Sequence, residues 1–162
     1  MAEIGIVRQG GASERALFAE IAGVADTVRR AATRGDYWNG MARFVNYWNG
    51  DGAWAELSHE ARIKLSQRLG KVVLDFQALF EEPAILADYA VLTPPTLIVC
   101  GERSPGPSRR IVEMLAGAMP HARVAPIAGA GHMSPLTHRD AVNAAIRDHL
   151  HHTTAAHRRR AA

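Results

Sequence analysis

The residues best suited to chemistry stand late in the chain, in the run GAGHMSPLTHRDAVNAAIRDHL from Gly129 to Leu150. His132 lies in a glycine turn directly before a helical pattern. Glycines 129 and 131 permit tight backbone geometry around it. A ring carried at the end of a parallel strand reaches the carboxyl edge of the sheet, where α/β proteins keep their sites. There an imidazole works as general base for a serine or a water. The spacing suits equally a histidine that hydrogen-bonds within a surface turn. The second such stretch is CGERSPGPSRR, Cys100 to Arg110, in which Glu102 is the only carboxylate. Glu102 is therefore the candidate to orient a histidine. Ser104, Ser108, Arg109 and Arg110 near a helix start fit an anion cradle, or simply a helix cap with solvated arginines.

Other residue types invite weaker readings. Tyr37, Trp38, Tyr47, Trp48 and Trp54 concentrate aromatics in the first half of the chain. They read as packing, or as the wall of an apolar pocket for an acyl or aromatic group, with Tyr37, Trp38, Trp48 and Met133 as the pocket candidates. His149 and His152 stand three apart, so a helix puts them on one face, but they fall in a stretch expected to fray. Cys100 is the single cysteine. It excludes both an internal disulfide and a paired-cysteine zinc site, and it reads as a small buried hydrophobe. No metal and no cofactor is expected.

The elements that must position these residues divide at Pro94-Pro95. Before it the pattern is helical. Leu17, Ile21, Val24 and Val28 recur at helical spacing, with Ser13 as the expected cap and Gly35 as the stop. YWNGMARFVNYW predicts a second helix with Met41, Phe44, Val45 and Trp48 on one face, broken by NGDG. A third is expected from a Ser58 cap to about Glu82, with Leu65, Leu69, Val72, Val73, Phe76 and Phe80 as its stripe. Pro83 ends it, and AILADYAVL predicts a short fourth. After Pro95, TLIVCG is an unbroken apolar run of the kind a central parallel strand shows when both its faces are covered. Ser108 is the expected cap of a helix through RRIVEMLAGAM. ARVAPIAG reads as a second strand, and THRDAVNAAIRDHL as a closing helix with Val142, Ile146 and Leu150 buried. Strand, helix, strand, helix argues a parallel α/β unit. Two strands leave both outer edges open, so an oligomer or another covering chain is expected.

Length and composition bound the class. The chain has 162 residues, 48% hydrophobic and 22% charged, as in an ordinary globular protein. No apolar run approaches the roughly 20 residues that span a bilayer. The beginning, MAEIGIVRQGG, lacks an apolar signal core, which with the lone cysteine points to the cytoplasm. The net charge of +3 is matched by Arg158, Arg159 and Arg160 alone, so neither nucleic acid nor membrane is an expected partner.

From Pro94 to Leu150 the chain resembles the C-terminal end of an α/β-hydrolase. PPTLIVCGERSP is similar to that family's penultimate strand and acid loop. RVAPIAGAGHMSPLTHRDAVNAAIRDHL is similar to its last strand, histidine loop and final helix. The helical half resembles the cap that members insert between core strands. The resemblance implies a helical cap-like segment at 1–92, an α/β-hydrolase core segment at 93–151 and a flexible basic tail at 152–162, together a partial α/β-hydrolase fold. It implies His132 as the base and hydrolysis of an ester, amide or C–C bond in a small apolar substrate. Two departures accompany it. Members commonly carry aspartate where Ser104 stands, with Glu102 two residues earlier. The nucleophile elbow G-x-S-x-G, which precedes the cap in this fold, is absent. A truncated or split hydrolase is therefore expected, completed by a complementary chain or a second copy. The alternative is a non-catalytic remnant acting as a dimeric interaction module.

Overall fold

The computed structural model describes residues 11–161, with side chains as far as 154. Helices α1 (Ala12–Thr33), α2 (Tyr37–Asn49), α3 (Ala53–Glu56), α4 (His59–Ser66), α5 (Leu69–Glu81) and α6 (Leu86–Ala90) come first. Strand β1 (Thr96–Gly101), helix α7 (Gly106–Ala118), strand β2 (Ala122–Ile127) and helices α8 (Ser134–Thr137) and α9 (Arg139–Ala161) follow.

The helical half builds its own core. Ile21, Val24 and Val28 of α1, Met41 of α2 and Leu69 of α5 are almost wholly buried against one another. Each such side chain contributes about 1.5–3 kcal/mol by leaving water. Gly35 turns left-handed at φ +74° and closes α1, with the Asp36 amide donating to Ala31 O at 2.9 Å. Ser13 is not the cap: Gly11 is, and Ser13 falls inside the first turn. The Glu14 carboxylate stands in the first turn, where a negative charge suits the helix N-terminus. The expected helix from Ser58 to Glu82 is two helices. Ser58 does cap α4 through Ala61 N–H at 3.2 Å. At its end the Ser66 hydroxyl turns back to Arg62 O at 2.8 Å and the Arg68 amide tightens onto Leu65 O at 2.8 Å. That break lets α4 pack on α2 while α5 packs between α1 and α2.

In the second half β1 and β2 pair in parallel, from Thr96 opposite Ala122 to Gly101 opposite Ile127, and form a two-stranded sheet among the described residues. Helix α7 starts at Gly106 with Pro107 in its first turn, so Ser108 lies inside the helix, buried, and is not the cap. Two further expectations fail for one reason, the narrowness of the sheet. Leu97 to Cys100 are only half-buried instead of covered on both faces. On α9, Val142 is buried, but Ile146 and Leu150 are 40% and 56% exposed. The helix has two strands to cover and runs past them to Ala161.

The halves are joined at α1 and α7. Nε and Nη2 of Arg110 both donate to one oxygen of Glu14, at 2.9 and 2.6 Å, and Nη1 donates to Glu113 at 3.0 Å. A second junction is the loop that follows β2.

Candidate active site

His132 is carried on the loop between β2 and α8, and three elements hold that loop. The first is β2 itself: Gly129 turns left-handed at φ +69° and the Ala130 amide donates back to Ile127 O at 3.3 Å. The second is the end of β1. Glu102 N–H donates to Ile127 O at 3.1 Å and Arg103 N–H to Ala130 O at 2.8 Å. Gly101 makes this approach possible, since a Cβ there would stand 2.2 Å from Gly131 O and 2.5 Å from Ala130 O. The third is the carboxyl end of α2, where the His132 amide donates to Trp48 O at 3.0 Å. That carbonyl is one of the last four of its helix, which have no partner within the helix.

The imidazole is solvent-exposed. Its centroid lies 4.3 Å from that of the Trp48 indole, with the planes at 37°. Tyr47 and Phe44 meet the same indole edge-on, at 5.0 and 6.2 Å. Trp48 Nε1 is buried without a hydrogen-bond partner. Burying a donor this way costs about 1–3 kcal/mol, so ring packing sets the indole's place. Tyr47 donates its hydroxyl to Glu20 at 2.9 Å. Burial, reinforced by that carboxylate, pushes the phenol far above its usual range, so it holds its proton at neutral pH.

The sequence-predicted residues are partly brought together. Glu102 reaches the histidine loop, where its Oε2 accepts the Gly129 amide at 3.2 Å. Ser104, in the position of the family's aspartate, is buried at 4% exposure, its amide bonded to Gly101 O. Met133 follows His132 and is exposed, and Trp48 is against the ring. Tyr37 and Trp38 are not beside them. Trp38 is ten residues before Trp48, about 15 Å along α2, where it meets Trp54 edge-on at 5.2 Å and lies under the Arg62 guanidinium. An apolar groove of about 370 Å³ runs elsewhere, between α1 and α5, over Ala25, Val73, Phe76 and Phe80. The anion cradle does not form as read: Arg110 is committed to Glu14 and Glu113.

Sequence reasoning missed the part of Gly101, and it missed that Trp48 presents both its carbonyl and its ring to His132. A glycine closing an apolar strand is a signal for the first. Nothing local signals the second, because it joins residues 84 positions apart. Among the described residues no group of three or more His, Cys, Asp and Glu stands ready for a metal. His152 turns onto Asp148 instead.

A profile of the alpha/beta hydrolase family matches residues 5–145, most of the chain. The chain belongs to the α/β-hydrolase family. Its described part is a partial α/β-hydrolase fold, mostly helical with two parallel strands. Neither a curated protein nor a solved structure matches it significantly. Among the described residues no helix is long and apolar enough to cross a membrane.

Proposed function

We propose that the chain supplies the general base and the cap of an α/β-hydrolase that cleaves an ester, amide or C–C bond in a small apolar substrate. The observation that carries this reading is the exposed imidazole of His132, held at the carboxyl edge of a parallel sheet by β1, β2 and α2 together. An exposed imidazole can take a proton from an attacking hydroxyl and return it to the leaving group. The carboxyl end of α2 favours the positive charge the ring then carries. Trp48 and Met133 are the apolar surfaces nearest to it, and they form the substrate wall in this reading.

The 162 residues contain no G-x-S-x-G. In this reading the serine comes from outside these residues, and the chain is a truncated or split hydrolase. Removing the nucleophile of a triad costs on the order of 10⁶ in turnover, and removing its acid about 10⁴. The chain alone is thus expected to show only slow, histidine-assisted attack by water. The test is hydrolysis of a panel of p-nitrophenyl esters by the purified chain and by His132→Ala. Equal rates in both would sink the catalytic reading.

A second reading, a dimeric interaction module without catalysis, is favoured by the exposed apolar side chains beside the two-stranded sheet: Val124, Ile146 and Leu150. Sedimentation separates the two. A dimer without histidine-dependent hydrolysis supports the module, and a monomer with it supports the enzyme.

A further inference from the structure

We propose that Trp48, at the last turn of α2, is the positioning residue of His132. Two contacts from this one residue restrain the histidine in different ways. The hydrogen bond from the His132 amide to Trp48 O fixes the main chain. The indole face, 4.3 Å from the imidazole centroid, restricts rotation of the ring about its side-chain torsions. Glu102 steadies the same loop from the β1 side, its Oε2 accepting the Gly129 amide.

The indole is itself held by rings. Tyr47 and Phe44 meet it edge-on, and Phe44 meets Phe76 of α5 at 6.0 Å. Tyr47 is tied to α1 through Glu20. Trp48 Nε1, buried and unpartnered, adds no bond to this arrangement. The orientation of the base is therefore set from the core of the helical half. An aromatic face also favours the imidazolium that a base becomes on taking a proton. The charged and titratable groups on the elements packed around the loop include Glu102 and Arg103 after β1, Tyr47 with its neighbours Glu20 and Arg43, Asp51 after α2, and His138, Arg139 and Asp140 after α8. The catalytic meaning of the arrangement rests on the hydrolase reading, while the positioning itself does not.

The test compares the wild-type chain with Trp48→Leu and Trp48→Phe. The readout is the rate at which diethyl pyrocarbonate carbethoxylates each histidine, resolved by peptide mass spectrometry. Trp48→Leu should speed modification of His132 about three- to tenfold, the worth of one aromatic contact. Trp48→Phe should stay within about twofold of wild type, because the ring face remains. Exposed His121 serves as internal standard and should not change. Equal His132 rates in wild type and Trp48→Leu, with cooperative melting in both, would overturn the proposal, as would a Phe variant as fast as the Leu variant. Should Trp48→Leu fail to fold, the wild-type spectrum decides. An indole at 4.3 Å must move the His132 ring protons upfield of those of His121, and unshifted protons overturn the proposal. A silent His132→Ala in the ester assay would refute the hydrolase reading and leave this test standing.

Discussion

Replacing Gly101 by alanine should uncouple the histidine loop from the sheet. The added Cβ stands 2.2 Å from Gly131 O and 2.5 Å from Ala130 O, whereas carbon and its neighbours rest near 3.5 Å, so backbone must move by about 1 Å. Overpacking of this kind costs about 1–3 kcal/mol. The bonds from Glu102 N–H to Ile127 O and from Arg103 N–H to Ala130 O lie in the path of the movement, and weakening them adds about 1 kcal/mol. The sum is about 3 kcal/mol, which for a chain of this size lowers Tm by about 6–12 °C. Circular dichroism measures the melt, and the His132 ring-proton resonances report the loop. Gly117→Ala is the control. Position 117 is an exposed site on α7 with nothing within 4 Å of a new Cβ, and alanine should stabilise it by about 0.5–1 kcal/mol. A Gly101→Ala protein melting within about 2 °C of wild type, with His132 resonances unmoved, would refute the packing argument.

Trp48→Phe removes the unpartnered indole N–H while keeping a ring, so it should leave Tm nearly unchanged, whereas Trp48→Ala should cost about 3 kcal/mol in a denaturant melt. Glu14 is held below its ordinary 4.5 by its own backbone amide first and by the Arg110 guanidinium next. A depressed folded value gives stability that is present above the unfolded value and lost as pH falls through the folded one. Melting temperature should therefore drop below about pH 4.5, and Glu14→Gln should flatten that part of the curve. Ile146→Glu combined with Leu150→Glu touches exposed positions, so it should leave the melt within about 0.5 kcal/mol. Any dimer seen by sedimentation should be weakened by the same change.

What the sequence makes legible follows the local signals. TLIVCG is a strand over the expected residues because an unbroken β-branched run between Pro95 and a Gly-rich turn has few alternatives. Helix α2 begins and ends as read because Asp36 caps its start and glycines 50 and 52 at positive φ stop it. Caps are less legible, since several polar residues compete for the same amides: Ser13 loses to Gly11 with Glu14, and Ser108 lies inside α7. Burial on α9 depends on how many strands lie beneath it, which its own periodicity does not encode. The same limit applies to the site. His132 stands out locally, but the contacts that hold it come from Gly101 and Trp48, distant in the chain. Tyr37 and Trp38 share a helix with Trp48 and yet lie at its other end.

In the proposed function His132 acts as a general base. Its most direct measurement is p-nitrophenyl ester hydrolysis by the wild-type chain and by His132→Ala, at matched concentration and with matched cooperative melts. A general base at His132 should give a slow wild-type rate above buffer that falls to background in His132→Ala. Equal rates in the two proteins would contradict it.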